Sequence, residues 1–212
     1  MGVVVSKDDS TWSGKRVIVN PTLDWPCGKS SSPPGKIVIL GMPRNGTFAT
    51  RITIPKSNLR LAPEFLTDAQ AAALPLAGVT AYRAVVTKGQ CKKDSMVLVT
   101  GVGGGVAVFA VQIAVALGAQ VFVTSSSNAK LARAKQELGA IGGVNYKEEN
   151  WTSSLLKQTN NKKFDLIVDG AGEISTCLKV ANGGGIIVTY GSTANPSASL
   201  TLPMLFLNQI GK

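Results

Sequence analysis

The stretch from Met96 to Ala107 constrains this 212-residue chain more than any other part of it. The apolar run from Met96 to Val99 is followed, after Thr100, by four glycines among residues 101–105. Apolar side chains then return at helical spacing, at Val106, Phe109, Ala110, Ile113, Ala114 and Leu117. A buried strand that enters a tight turn and then a helix has this pattern. The sequence therefore predicts a phosphate-binding turn.

The glycines of this turn are explained by the close approach of a phosphate group to the backbone. A β-carbon would intrude on a bound pyrophosphate, whereas the N–H groups at the start of the helix can face the anion. Glycine runs also form ordinary loops, but the preceding strand and the following helix favour the nucleotide interpretation. The candidate contacts here are Gly101, Gly104, Gly105 and Val106.

Strands and helices continue to alternate after this turn. Residues 120–124 read as a second short strand, and Asn128 can cap a helix that stops at Gly139. Further strand-like runs occur at 143–146, 164–169 and 186–190. This order predicts an α/β fold, a doubly wound parallel sheet of the Rossmann type. The carboxyl ends of the strands then line the ligand crevice.

The end of the second strand indicates which dinucleotide is bound. Sites selective for NAD place a carboxylate there, which would repel the additional phosphate of NADP. This chain has hydroxyls and cations before its first acid, Glu137, which favours NADPH. A solvated serine-rich turn before an ordinary basic helix face is the alternative. The candidate side chains are Thr124, Ser125, Ser126, Ser127 and Lys130, with Arg133 one turn further on.

The first 95 residues have a different pattern. Short β-like runs occur at 2–5, 16–19, 37–40 and 47–54, separated by loops such as 30–35. Thr67 and Gln70 have the spacing of a capping box, which predicts a helix through Ala73. We therefore expect two unequal parts.

Several motifs together resemble those of a known family. LPLAGVTAYRA begins at Leu74, the glycine turn follows Val99, NYKE begins at Asn145 and DGAG begins at Asp169. In this order and spacing they resemble the medium-chain dehydrogenase/reductase superfamily, and within it the zinc-independent branch of quinone-oxidoreductase-like proteins. Two family glycines fall on Gly101 and Gly104, while the third position is Ala107.

The resemblance implies a domain organisation. Residues 1–80 correspond to part of a small β-barrel domain of the GroES-like type, and residues 81–212 to a Rossmann domain that lacks its last strand. Both ends of the chain look shortened relative to family members. The segment between Gly172 and Gly183 is about one helical turn short.

The resemblance also implies further cofactor contacts. Thr80, Gly170, Ala171 and Gly191 would approach the nicotinamide half of the cofactor, and Tyr146 would lie with Lys130 beside the adenosine phosphate. The alternatives are a helix cap for Thr80, packing for Tyr146 and turns for the glycines.

The implied function is NADPH-dependent hydride transfer to a carbonyl, a quinone or an activated alkene. The alternative is a shortened NADPH-binding protein of weak catalytic activity that acts through partners or nucleic acid. No catalytic residue is assigned, because the phenols of Tyr82 and Tyr190 are better explained by packing.

The scarcity of metal-binding side chains argues against zinc. The chain contains no histidine, and its cysteines, Cys27, Cys91 and Cys177, are scattered.

The odd number of cysteines argues against a disulfide framework and therefore indicates a reducing compartment. We expect a cytoplasmic protein without a signal sequence or membrane span.

The net charge of +10 raises the question of nucleic-acid binding. The basic residues are dispersed and no aromatic residues alternate with them, so this function is disfavoured. We expect a small-molecule substrate instead. An unpaired last strand would favour self-association, and we expect a homodimer.

Overall fold

A computed structural model describes residues 1–6, 9–23, 38–200, 202–207 and 209. The chain divides into two units, Met1–Val79 and Thr80–Lys212. The first unit holds two small sheets of short strands, and the second holds a five-stranded parallel sheet. The predicted α/β class with a Rossmann-type sheet is confirmed.

The strands of the first unit are all short. One sheet has the order β1-β2-β6 and is antiparallel, and the other has the order β3-β4-β5. Their bounds are β1 (Gly2–Val3), β2 (Arg16–Val19), β3 (Thr22–Leu23), β4 (Val38–Leu40), β5 (Pro43–Arg44) and β6 (Leu59–Leu61).

One of the strand predictions for this unit is wrong. Residues 47–54 form no strand, and Phe48 in this run is fully exposed. A strand needs a hydrogen-bonded neighbour, and among the described residues none pairs with this run. Ile37, the 30–35 loop and Cys27 lie outside the described residues.

The predicted capping box is present. The amide of Gln70 donates to the Thr67 hydroxyl at 3.3 Å, and the Thr67 amide donates to the Gln70 side-chain oxygen at 3.0 Å. Helix α1 (Asp68–Ala73) begins there. Wide π-helical turns at Leu74–Gly78 and Arg83–Lys88 follow along the chain, with α2 (Val79–Tyr82) between them.

The parallel sheet of the second unit has the strand order β11-β10-β7-β8-β9. The chain steps outward from β7 through β8 to β9, then returns to β10 on the other side of β7. The carboxyl ends of β7 and β10 therefore flank the topological switch point, where ligands bind in such sheets. The strands are β7 (Met96–Val99), β8 (Gln120–Ser125), β9 (Gly142–Asn145), β10 (Phe164–Asp169) and β11 (Ala181–Thr189).

Each crossover between neighbouring strands carries a helix. The helices of this unit after α2 are α3 (Gly105–Ala116), α4 (Asn128–Leu138), α5 (Trp151–Gln158), α6 (Ile174–Val180) and α7 (Leu202–Phe206). Helix α4 ends as predicted, with Gly139 in the left-handed conformation.

The central strands of the sheet, β7, β8 and β10, are buried on both faces. On one face Val97, Val99 and Val168 pack with α3, whose Ala107 and Ala110 are fully buried. On the other face, Leu98, Phe122, Ile167 and Phe164 pack with Leu155 of α5 and Cys177 of α6. Burial of each large apolar side chain contributes about 1.5–3 kcal/mol to folding, which explains the continuous apolar strands. Ala107 occupies the third family glycine position because a methyl group fits in this contact.

The crossover from β10 to β11 is short. Helix α6 runs directly into β11, and the connection between the strands covers only residues 170–180. This length is close to the minimum of about ten to twelve residues for a parallel crossover. The register of β11 shifts opposite Phe164 and Leu166, where the chain carries three consecutive glycines, Gly183 to Gly185.

A buried carboxylate joins the ends of β7 and β10. Asp169 is 0 % exposed, and its Oδ1 accepts from the Thr100 hydroxyl at 2.7 Å and from the Ala171 amide at 3.1 Å. Its Oδ2 accepts from the amides of Gly172 and Glu173 at 2.9 and 3.2 Å. Four donors thus offset the large cost of burying this charge.

The outer edge of β9 is closed by a side chain. Gln158, the last residue of α5, accepts from the Gly143 amide at 3.0 Å and donates to the Gly143 carbonyl at 3.0 Å. Its carboxamide thus takes the place of a neighbouring strand. Exposed strand edges attract other strands, so this contact protects the sheet from edge-to-edge pairing.

We expect Asp169→Asn to lower the free energy of unfolding by about 2–6 kcal/mol. One acceptor oxygen becomes an NH₂ group, so two buried donors lose their acceptor, at about 1–3 kcal/mol each. Thr100→Ser is the matched control, because it keeps the hydroxyl, and it should cost less than about 1 kcal/mol. Urea denaturation measures both. An Asn variant as stable as the wild type would contradict this role of the carboxylate.

We expect Gln158→Ala to lower the free energy of unfolding by about 1–2 kcal/mol, since two exposed hydrogen bonds are lost. The variant should also associate as its concentration rises, because the edge of β9 is open. Gln158→Glu keeps one acceptor and adds a charge to the edge, so it should restore the wild-type sedimentation but not the full stability. Sedimentation velocity and urea denaturation separate the two effects. Wild-type sedimentation of the Ala variant at all concentrations argues against edge protection.

Candidate functional site

The predicted glycine turn, residues 101–105, lies at the carboxyl end of β7. Gly101 and Gly103 adopt positive φ angles of 66° and 120°, which side chains with a β-carbon rarely tolerate. Helix α3 begins immediately afterwards, with Gly104 as its N-cap. The first amides of a helix have no carbonyl partner within it, so those of Gly105 and Val106 are available to an anion.

Two of the predicted hydroxyl residues hold this turn in place. The Thr124 hydroxyl accepts from the Gly101 amide at 3.1 Å, and the Thr124 carbonyl accepts from the Val102 amide at 2.8 Å. The Ser125 hydroxyl donates to the Val102 carbonyl at 3.3 Å. Both residues are 2 % exposed. Their side chains therefore position the turn from β8 and do not face the open edge.

The Lys130 side chain lies against the glycine turn. A β-carbon built on Gly103 would stand 2.8 Å from Lys130 Cδ and 3.2 Å from its Nζ. Ser127 caps helix α4 by accepting from the Lys130 amide at 3.4 Å. This places a cation at the turn, and the positive φ of 120° at Gly103 favours a glycine at that position. Gly103 is thus a residue of the site that sequence reasoning missed; the family spacing pointed to Gly101 and Gly104.

Arg133, the second predicted cation, has a different partner. Its guanidinium donates to both carboxylate oxygens of Glu137, at 2.9 and 2.8 Å, one helical turn along α4. This pairing lowers the pKa of Glu137 and raises that of Arg133. Lys130 therefore carries the positive charge beside the turn.

Tyr146 and Ser126 lie near the same end of β8. The Tyr146 amide donates to the Ser125 carbonyl at 3.0 Å, and its side chain is 44 % exposed. The preceding residue, Asn145, donates to the Ser126 carbonyl at 3.5 Å and to Asn128 Oδ1 at 3.2 Å. The structure thus brings Ser126, Ser127, Lys130 and Tyr146 together at the ends of β8 and β9.

The remaining predicted residues gather at the ends of β10 and β11. The Gly170 carbonyl accepts from the amide and hydroxyl of Thr193, at 3.3 and 3.1 Å. The Ala171 carbonyl accepts from the amides of Ala194 and Asn195, both at 3.0 Å. The loop after β11, which contains Gly191, therefore folds back over the loop after β10.

Close packing requires the glycines in this second cluster. A β-carbon on Gly191 would lie 3.0 Å from the Gly170 carbonyl oxygen, and one on Gly170 would meet the Tyr190 ring. Thr80 lies on α2 and is partly exposed. The helical turn that follows it, Arg83–Lys88, packs against β10 and β11.

The described residues do not suit a zinc ion. They contain no group of three histidine, cysteine or acidic side chains that could hold a metal, and the whole sequence lacks histidine. Cys177 is buried, and burial together with the charges of Asp169 and Glu173 raises the pKa of its thiol. Burial also raises the pKa of Cys91. Zinc needs deprotonated ligands in a tetrahedral cluster.

Two shallow depressions, of about 230 and 480 Å³, lie at the opposite, amino-terminal edge of the sheet. Asp165 lines both, and Lys92 and the three glycines of β11 line the smaller one. They are distant from the glycine turn along the strands.

Within the described part of the chain, no helix is both long and apolar enough to span a bilayer.

Comparison with known proteins agrees with this geometry. Residues 105–211 match the family described as zinc-binding dehydrogenases. A zinc-type alcohol dehydrogenase-like protein, YogA, from Leptosphaeria maculans is 40% identical over 199 residues, which cover 86% of this chain and 54% of that protein. The chain thus spans about half the length of this relative.

Two solved structures illustrate the range of similar proteins. A crystal structure of an NAD-dependent alcohol dehydrogenase superposes with a TM-score of 0.85 at 34% identity. The match covers 95% of this chain and 61% of the dehydrogenase chain. The quinone oxidoreductase of Thermus thermophilus, whose structures include a complex with NADPH, has a TM-score of 0.68 at 30% identity. This match covers 82% of this chain and 54% of the quinone oxidoreductase chain. The predicted resemblance to the medium-chain dehydrogenase/reductase superfamily is confirmed, and the chain belongs to its zinc-binding dehydrogenase family.

Proposed function

We propose that this chain binds NADPH at the carboxyl edge of its parallel sheet and belongs to an oxidoreductase that works without zinc. The observation that carries the proposal is the Lys130 ammonium group beside Gly103. Ser125, rather than an acid, ends β8, and the first acid after it, Glu137, is paired with Arg133. A 2′-phosphate therefore meets a cation and no opposing carboxylate.

The described residues fit the parts of this cofactor in order. The amides of Gly105 and Val106 at the start of α3 suit the pyrophosphate. Lys130, Ser126, Ser127 and Tyr146 suit the adenosine end with its 2′-phosphate. Gly170, Ala171, Gly191 and Thr80 suit the nicotinamide end, on the other side of the switch point.

NADPH, when bound, supplies the hydride for reduction of a carbonyl, a quinone or an activated alkene. The chain's own contribution is to bind and orient the two ends of the cofactor on rigid strands. Asp169 and Thr100 keep the loop after β10 in place, and Thr124 and Ser125 keep the glycine turn in place. The quinone oxidoreductase with an NADPH complex supports this cofactor, and the NAD-dependent neighbour makes a direct comparison of the two cofactors necessary.

We expect Lys130→Ala to weaken NADPH binding about tenfold and to leave NADH binding unchanged. The lost contact is a charge-assisted hydrogen bond to the 2′-phosphate, worth about 1.5 kcal/mol at an exposed site, and NADH lacks that phosphate. Lys135→Ala is the matched control, because it removes an equal charge from the same helix, and it should leave both affinities near their wild-type values. Fluorescence titration of both cofactors measures the effect.

Two results would contradict this assignment. Equal losses for both cofactors would show that Lys130 acts through folding or general charge. A wild-type preference for NADH would refute the NADPH proposal itself.

Turnover is tested separately, by NADPH oxidation in the presence of a quinone and of an enal. We expect oxidation that depends on the acceptor and survives treatment with a zinc chelator. If the protein binds NADPH but reduces none of the acceptors, the proposed reaction is refuted and only nucleotide binding is supported.

A further inference from the structure

Tyr190 has a hydroxyl group that the site described so far does not use. It directly follows β11, and its ring packs at the border of the core cluster beneath α3. A β-carbon built on Gly170 would collide with the Tyr190 hydroxyl oxygen and lie 2.5 Å from Cζ. The phenol therefore lies directly over Gly170, among the residues assigned to the nicotinamide end.

The polar groups around this hydroxyl already have other partners. Both oxygens of Asp169 accept from Thr100 and from backbone amides. The Gly170 amide donates to Thr100, and the Gly170 carbonyl accepts twice from Thr193. Among the described residues, none forms a hydrogen bond with the Tyr190 hydroxyl. A tyrosine hydroxyl in a partly buried setting normally finds a partner, so this one is available to a ligand.

The hydroxyl is a donor at neutral pH. Burial, together with the negative charge of Asp169, raises the pKa of Tyr190 above its ordinary value, so the phenol keeps its proton. The Tyr190 amide is hydrogen-bonded to the Asp169 carbonyl at 2.9 Å, which fixes the backbone from which the ring extends.

The strand order identifies the end of the ligand that lies nearby. Lys130 and Tyr146 mark the adenosine end, beside β8 and β9, and the glycine turn follows β7. Tyr190 follows β11, three strands from β8, or about 14 Å at the usual strand spacing. An extended molecule that crosses the turn therefore presents its far end here, and in a nicotinamide dinucleotide that end carries a carboxamide oxygen.

We propose that Tyr190 is a positioning residue whose hydroxyl donates a hydrogen bond to the nicotinamide carboxamide of the bound cofactor. This inference rests on the proposed function, because it requires a dinucleotide at the carboxyl edge. The contact orients the nicotinamide ring over the end of β10. Gly170 must be glycine because any β-carbon would displace the phenol.

The test compares Tyr190→Phe with the wild type in binding three ligands by calorimetry. NADPH is the complete cofactor, 2′-phospho-ADP-ribose lacks only the nicotinamide, and adenosine 2′,5′-bisphosphate lacks the nicotinamide, its ribose and the phosphate attached to that ribose. We expect the variant to bind NADPH about five- to tenfold more weakly and to bind both fragments as the wild type does. Tyr82→Phe is the matched control, since Tyr82 is an exposed phenol on α2, and it should leave all three affinities unchanged.

A spectroscopic readout tests positioning directly. At saturating NADPH, the fluorescence of the reduced nicotinamide should be enhanced in the wild type and less enhanced in Tyr190→Phe, because the ring is held less firmly. A merely structural role of Tyr190 would not change this signal once the site is saturated.

Several outcomes would overturn the inference. Unchanged NADPH affinity in Tyr190→Phe excludes the hydrogen bond. An equal loss for NADPH and 2′-phospho-ADP-ribose places the contact on the nicotinamide ribose or its phosphate, and an equal loss for all three ligands indicates a folding effect. If the wild type binds none of the three, the proposed function itself fails, which is a result distinct from failure of the Tyr190 contact.

Discussion

The hydrogen bonds of Asp169 organise the functional edge of this protein. They tie the end of β10 to Thr100 at the end of β7, the two paired strands whose connections leave in opposite directions at the switch point. The same carboxylate accepts hydrogen bonds from three backbone amides of the loop after β10. Because the charge is fully buried, any arrangement that lost these donors would be costly. The loop that carries Gly170 and Ala171 therefore has one favoured conformation.

A site built in this way consists mainly of backbone. The glycine turn offers amides at the start of α3, and the loops after β10 and β11 offer closely packed glycines. The charged side chain beside the turn is Lys130, and Ser126, Ser127 and Tyr146 lie near the same ends of β8 and β9. A helix N-terminus with an adjacent cation is an arrangement that can bind an anion without a metal ion.

The sequence predicts the sheet well because its central strands are buried on both faces. Continuous apolar runs, such as Met96–Val99 of β7 and residues 166–168 of β10, stand out from helices that begin at a glycine or a cap residue. The roles of individual polar residues are harder to predict from the sequence. Thr124 and Ser125 hold the turn because of the register between β7 and β8, and the contact of Gln158 with Gly143 depends on how α5 lies against β9. These are contacts between residues distant in sequence, which local patterns do not contain. Residues 47–54 show the converse. Their composition is β-like, but they form no strand, because no described strand pairs with them.

In the proposed function, the carboxyl edge of the sheet binds the cofactor, and the depressions at its amino-terminal edge do not. Hydrogen–deuterium exchange with and without saturating NADPH tests this most directly. We expect slower exchange at the amides of residues 101–107, 170–171 and 190–191. We expect no change around Lys92, Asp165 and Gly183, which line the depressions at the other edge. Protection confined to the amino-terminal edge, or exchange unaffected by NADPH throughout the chain, would contradict cofactor binding at the carboxyl edge.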